Sequence, residues 1–267
     1  MKKILILIIL IISCLFLYGR YIEVNNLKIN EYVINNKDIP NTFKELKIIH
    51  ISDILYKDDM LDRLENLTKK VNKQNPDIII FTGDLFTKEQ NYSENDFKTL
   101  KTYLKKMNAS LYKFAVIGDN DYDYLEDYKD ILYESEFVLL DNENKLLFYK
   151  DKTPINIIGI SDTKDIDNLL NPEIECNYTL AITHKPDNLT NLSQYDIDTI
   201  LSGHSLGGII NIPYYGGIIK KDGSKTYIND EYTLNNTEIF ISNGIGYEKH
   251  NFRLFNTPSF NIYRFEN

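Results

Sequence analysis

Five short β-branched runs in this chain each stop at a side chain able to ligate a metal, and any fold must accommodate that register. LKIIHIS precedes Asp53, DIIIFTG precedes Asp84, KFAVIG precedes Asp119, YTLAIT precedes His184 and TILSG precedes His204. Open α/β sheets gather ligands and chemistry outside the carboxyl ends of their strands, where the connecting loops converge. Carboxylates scattered over a surface keep no such register. Imidazole with carboxylate oxygen is the ligand set of zinc, manganese or iron.

The 267 residues, 43% hydrophobic, suffice for one large domain with a sizeable core. Formal charge is −9, and setting aside residues 1–20, with Lys2, Lys3 and Arg20, leaves −12. So acidic a body does not hold a nucleic-acid backbone, which requires clustered Lys and Arg. The two cysteines, Cys14 and Cys176, make no disulfide framework.

Residues 1–20 read as a membrane device: Lys2-Lys3, then the apolar stretch Ile4 to Tyr18, then Gly19-Arg20. An uncleaved single span fits best, because Leu15-Phe16-Leu17-Tyr18 stay apolar past the cysteine. The alternative is a signal peptide, for which the apolar run is about the right size, and Ile11-Ile12-Ser13-Cys14 resembles a lipobox that would leave Cys14 lipidated. Either way Lys2 and Lys3 favour an inside N-terminus, with the domain on the extracytoplasmic face. Membrane lipid is therefore an expected partner, through the N-terminus.

Residues 21–45 read as a connector that becomes a strand at KINEYVI, and 46–267 as the domain. Helical spacing at Met60, Leu61, Leu64, Leu67 and Val71 predicts a helix that Asn75-Pro76 ends. Helices are also predicted over about 94–106 and 125–135. Beyond them strands dominate: KLLFY, INIIGI, YTLAIT, TILSG, GIINI, EIFIS and FNIYRF. Alternating β and α, then mostly β, predicts an α/β sandwich of the α+β type: two central mixed sheets flanked by helices. The Asn/Lys-rich patches 141–145 and 221–230 read as solvated loops.

The ordered stretches Ser52-Asp53-Ile54-Leu55, Gly83-Asp84, Gly118-Asp119-Asn120-Asp121, Thr183-His184 and Gly203-His204-Ser205-Leu206 resemble the calcineurin-like metallophosphoesterases, in particular their membrane-anchored bacterial branch. That family reads Asp-x-His, Gly-Asp, Gly-Asn-His-Asp/Glu, a lone His, then Gly-His-x-His. The resemblance implies that fold, hydrolysis of phosphate mono- or diesters, and two metals bridged by one carboxylate. It implies Asp84 as the bridge, Asp119, His184 and His204 completing one site, and Asp53 serving the other. It places Asn120 where the family has its catalytic His.

Both imidazoles of the Asp53 site are leucine here, Leu55 and Leu206. Leucine ligates nothing but fills volume, and interiors tolerate few voids. The pocket thus reads as remodelled: one divalent ion (Zn, Mn or Fe) on Asp84, Asp119, His184 and His204, with Asp53 a weak ligand and the second position closed. One dication facing three aspartates leaves −1, and each unit charge about 4 Å away costs a phosphate roughly 4 kcal/mol at an effective dielectric of 20. Asn120 donates hydrogen bonds but shuttles no proton, so general-acid help worth typically 10²–10⁴-fold is missing. Weak or specialised turnover on a small phosphoester or lipid head group is expected. The alternative is a catalytically inactive binding or scaffold module.

Single residues also admit plainer roles. Asp53, Asp84 and Asp119 are in positions where aspartates often form turns or cap helices, Asp121 reads as a turn or supporting residue, and His50 as a core residue. His250 reads as a surface group or part of the pocket mouth. Gly203-His204-Ser205-Leu206-Gly207 matches the G-x-S-x-G elbow of serine esterases, with Ser205 as nucleophile. The β-branched, Pro- and Gly-broken sequence that follows does not supply the helix that elbow needs.

Overall fold

The computed structural model describes residues 1–161 and 166–266, so residues 162–165 and the last residue of the expected 46–267 domain lie outside them. The chain opens with helix α1 (Lys2–Leu17) and runs on through β1 (Lys28–Asn35), β2 (Lys47–Ile51), α2 (Leu61–Lys73), β3 (Ile78–Phe81), α3 (Glu94–Lys106), β4 (Tyr112–Ala115), α4 (Leu125–Glu134) and β5 (Phe137–Leu139). The second half holds β6 (Glu143–Leu147), β7 (Ile155–Ile160), α5 (Ile166–Leu170), β8 (Thr179–Thr183), α6 (Leu189–Leu192), β9 (Thr199–Ser202), β10 (Asn211–Ile212), β11 (Gly216–Gly217), β12 (Glu231–Leu234), β13 (Thr237–Ile241) and β14 (Ser259–Glu266).

Two six-stranded mixed sheets result, in the orders β1-β14-β2-β3-β4-β5 and β12-β13-β9-β8-β7-β6. Side chains alternate across each strand, so every apolar run serves two layers. From β2 and β3, Ile48, Ile78 and Ile80 face the core shared by the sheets, with Leu180, Ile182 and Leu201 of β8 and β9. Ile49, Ile51, Ile79 and Phe81 face the other way, onto α2, α3 and α4 through Leu64, Leu100 and Ile131. The outer face of the second sheet is covered by Leu189 and Leu192 of α6. The result is a four-layer helix–sheet–sheet–helix sandwich, the architecture expected from the sequence.

Three sequence expectations need correction. GIINI forms only the two-residue strand β10, paired with β11 around a Pro213-Tyr214-Tyr215 tip. On its other side Ile210 bridges to Leu254 alone, too short a pairing to extend the strand. Patch 141–145 is largely the edge strand β6, because Glu143–Leu147 pairs with Gly159–Ile155 of β7. Patch 221–230 begins with a lysine buried in the site.

One helix among the described residues is long and apolar enough to cross a membrane, Lys2–Asn25 by length and composition. Its far end is fixed to the domain. The Glu23 carboxylate is buried and accepts from the N–H groups of Phe255 and Asn256, both at 2.7 Å. Arg20 Nη1 donates to Asn251 O at 2.8 Å, and Phe16 stacks on Phe252 with ring centroids 5.6 Å apart. A Cβ on Gly19 would lie 2.6 Å from Arg253 O, so only glycine permits this approach.

Candidate metal centre

Asp53 and Asp84 follow β2 and β3 of the first sheet; His184 and His204 follow β8 and β9 of the second. Each sheet thus contributes two ligands where the carboxyl ends of its parallel strands meet the other's. The approach is close: a Cβ on Gly203 would sit 1.8 Å from Ser52 Oγ and 2.9 Å from Asp53 Oδ2. Five non-glycine residues at this junction are left-handed, Asp53 (φ 48°), Leu55 (47°), Asp84 (58°), His204 (65°) and Leu206 (48°). Such conformations persist where the surroundings over-determine them, and they cluster at functional sites.

One potential ligand atom from each of Asp53, Asp84, His184 and His204 lies within 4.8 Å of the other three, and all four residues are buried. The hydrogen bonds show which atoms are free. His184 Nδ1–H donates to Thr82 O at 2.6 Å, and His204 Nε2–H donates to Asp222 O at 2.5 Å. These carbonyls fix both tautomers, as outer partners of metal-bound imidazoles do. The remaining nitrogens, His184 Nε2 and His204 Nδ1, face each other at 3.0 Å, with Asp84 Oδ1 3.4 Å from His184 Nε2. Two lone pairs at that distance require a cation between or beside them. Asp53 points to the same place: its Oδ2 accepts from Ser52 Oγ and the His204 N–H, while its buried Oδ1 has no hydrogen-bond partner among the described residues. Neutral imidazoles with carboxylates fit zinc, manganese or iron, and these four residues fit a divalent ion.

Burial would push the His184 imidazole down, but the charge and hydrogen bond of Asp84 prevail and hold it up at about 9. Asp84 is held well below the carboxylate range: burial opposes this, but His184, Lys221 and the Asn120 N–H outweigh it. Without a metal, a proton on His184 is thus the cation that pairs the two.

Asp119, expected as a ligand, is elsewhere. Its Oδ1 pairs with Lys185 Nζ at 2.8 Å at the half-exposed rim. The turn after β4 aims its next two side chains inward instead. Asn120 donates to Asp84 through its backbone N–H (2.9 Å to Oδ1) and its Nδ2 (2.8 Å to Oδ2). Its amide is therefore engaged with Asp84. Asp121 accepts four backbone N–H groups, from Asp84, Leu85, Phe86 and Gly118. Asp121→Ala leaves those donors unpaired in the interior at about 1–3 kcal/mol each. Thermal unfolding of the full chain should fall by 10 °C or more, at about 2–4 °C per kcal/mol, and Asp121→Asn should lose much of it too, because its Nδ2 would face two N–H donors where an oxygen now accepts.

Lys221 is the residue that sequence reading missed. Its side chain is 10% exposed, with Nζ 3.9 Å from Asp84 Oδ2 and 2.9 Å from Glu248 Oε1. Burial would lower its pKa, but Asp53, Asp84 and Glu248 raise it. Leu55 and Leu206 are fully buried beside it all. Leu206 Cδ2 lies against Gly244, which in turn abuts Asp53 Cβ.

The remaining candidates sort simply. His50 bonds Thr82 Oγ1 and Tyr263 OH inside the core. Ser205 is buried, accepting from the Gly207 N–H and donating to Ser242 O, and no histidine bonds it among the described residues. A 3₁₀ turn, Leu206–Gly208, follows it in place of a helix, so the esterase elbow is not formed.

The sequence model of the family described as calcineurin-like phosphoesterase matches residues 46–208. The chain is 27% identical over 253 residues to the uncharacterized metallophosphoesterase YkuE of Bacillus subtilis, covering 92% of this chain and 88% of that one. It is 28% identical over 267 residues to the uncharacterized metallophosphoesterase YkoQ of the same organism, covering 97% of both. It is 24% identical over 259 residues to the UDP-2,3-diacylglucosamine pyrophosphatase LpxG of Chlamydia muridarum, covering 74% of this chain and 75% of that one.

Proposed function

The chain belongs to the calcineurin-like phosphoesterase family, and on that premise we propose that it is a membrane-anchored, metal-dependent phosphoester hydrolase with one metal position and a lysine in place of the second. The observation that carries this reading is the Asp53, Asp84, His184 and His204 cluster, with its unpaired carboxylate oxygen and facing imidazole nitrogens. A divalent ion held there supplies Lewis acidity and positive charge to a phosphoryl oxygen.

The protein's own groups do the rest. Thr82 O and Asp222 O orient the two imidazoles, and Asn120 and Asp121 fix the Asp84 loop. Lys221 restores positive charge where Leu55 and Leu206 leave no ligands, and its ammonium is placed to bind a phosphate oxygen. The −1 expected from sequence is removed. Asp119 is neutralised by Lys185, and Asp53, Asp84 and Glu248 against one ammonium and one dication sum to zero, with the ammonium facing Asp84 and Glu248 partly exposed at the rim. Leu55 and Leu206 occupy the volume of the lost imidazoles. The family's proton-shuttling His is Asn120 here, which supports slow turnover or a substrate with a good leaving group. A relative named as a pyrophosphatase supports chemistry at phosphorus.

The Lys2–Asn25 helix, with no buried residue from Lys2 to Leu17 and clamped to the domain through Glu23, supports an uncleaved anchor. Lys2 and Lys3 put the domain outside the cytoplasm. The scaffold reading is favoured by one observation, the engagement of Asn120 with Asp84. Full-length chain in nanodiscs, loaded with manganese, zinc or iron(II), decides between them. Hydrolysis of bis-p-nitrophenyl phosphate that disappears in Asp84→Asn supports the hydrolase. A metal-loaded chain with no turnover on mono-, di- or pyrophosphate esters establishes the scaffold.

A further inference from the structure

An apolar cavity of about 480 Å³ has Leu206 in its lining, and Leu206 and Asp53 both lie against Gly244. Leu206, Ile210, Ile219, Phe252 and Arg253 line it, and Phe16 of α1 completes the wall. Its size is that of a small-molecule site, roughly 300–1,000 Å³. Phe16 and Ile219 are half exposed, so the cavity is open beside the helix. Two residues join it to the metal centre. Leu206 lines the cavity and packs with Asp53 against Gly244, and Glu248, also in the lining, bonds the Lys221 that faces Asp84.

What could enter is set by where the cavity stands. Phe16 is about 18 Å along the helix from Ile4 at 1.5 Å per residue, inside the roughly 30 Å hydrocarbon layer that α1 is long enough to enter. Beside it the β10–β11 hairpin displays Ile212, Tyr214, Tyr215 and Ile218, with Tyr214 and Tyr215 almost wholly exposed. Tyrosines with aliphatic neighbours are the side chains of a membrane–water interface. The ligand need not leave the bilayer. Fully buried Arg253 donates through Nη1 and Nη2 to the carbonyls of Leu206, Asn243 and Gly246, yet its Nε has no acceptor among the described residues.

We propose that the cavity holds an acyl chain of a glycerophospholipid from the adjoining leaflet while its phosphate reaches the metal centre. Resting on the phosphoesterase reading, this makes a phosphodiester lipid the substrate. Water adds at phosphorus, the P–O bond to one alcohol breaks, and a water proton passes to that alcohol, leaving a phosphomonoester. Leu206 then has a second role: in place of a metal-binding imidazole it presents an apolar surface to the chain.

The test uses full-length protein in phosphatidylcholine nanodiscs carrying phosphatidylglycerol with a diazirine near the end of one acyl chain. Photolysis should label the 206–219 and 247–253 segments as well as α1. Ile210→Trp and Ile219→Trp, each filling the cavity, should reduce the first two labels at least tenfold, with α1 labelling and metal content retained. The ratio of turnover on phosphatidylglycerol to that on bis-p-nitrophenyl phosphate should fall at least tenfold as well. Label confined to α1 in the unsubstituted chain overturns the proposal whatever the variants do. A chain that hydrolyses the soluble diester but labels only through α1 refutes the lipid site alone. One that labels in the cavity and hydrolyses nothing refutes the hydrolase reading alone.

Discussion

Alanine at His184 should leave full-length protein with less than about a tenth of the divalent metal bound by the unsubstituted chain at equal free metal, measured by equilibrium dialysis and elemental analysis. Disturbing only an outer partner of a ligand typically costs 10–100-fold in affinity, so loss of a ligand should cost more than about 10²-fold. His184 Nε2 is central: it lies 3.0 Å from His204 Nδ1 and 3.4 Å from Asp84 Oδ1. Asp119→Ala is the control. Its carboxylate pairs with Lys185 at the rim, and metal content should be unchanged. Equal loss in both variants would restore Asp119 as a ligand and discard the geometry described above.

The same imidazole fixes a pH dependence. In metal-free protein its folded pKa, about 9, lies above the ordinary 6.5 because Asp84 outweighs burial. A raised basic pKa gives stability that is complete below 6.5 and lost as pH climbs towards 9. Metal-free chain should therefore unfold at progressively lower temperature across that window. Metal requires the neutral ring, so apparent affinity should rise with pH through the same window, by up to tenfold per unit. Loaded protein should lose the alkaline decline. Identical melting profiles with and without metal would show that no ion binds at His184.

Much of this arrangement was legible in the sequence. Helix α3 begins where Ser93 and Asp96 form a capping box, a local signal, and the strands ending at Asp53, Asp84, His184 and His204 are runs no surface would tolerate. Side-chain direction within one loop was not legible. Asp119 and Asn120 sit next to each other, and only tertiary contacts turn one to Lys185 and the other to Asp84. Asp53 was expected to be a weak ligand because its family partners are leucines, but Ser52 and the His204 N–H satisfy one oxygen and leave the other aimed at the cluster. Lys221 followed an apolar run in a Lys-rich patch and looked solvated. Its clue is the preceding Gly216-Gly217-Ile218-Ile219, a Gly-Gly turn signal and apolar pair leading straight into it.

Lys221→Met should lower kcat/KM for phosphodiester hydrolysis about 10²–10³-fold with metal content unchanged. A unit charge about 4 Å from its partner at an effective dielectric of 20 is worth roughly 4 kcal/mol, and a methionine keeps most of the volume. The stronger test is whether the second metal position can be reopened. Leu55→His and Leu206→His together return both missing imidazoles. With Lys221 in place they should still bind one ion per chain. An ammonium about 4 Å from a dication costs roughly 8 kcal/mol on the same scale, more than two imidazoles offset. Adding Lys221→Met should raise the stoichiometry to two, and adding Asn120→His to those three should then raise turnover, because a free proton shuttle is worth typically 10²–10⁴-fold. Two ions in the double histidine variant with Lys221 intact would show that the ammonium does not stand in for a metal. The lost imidazoles alone would then account for the single site.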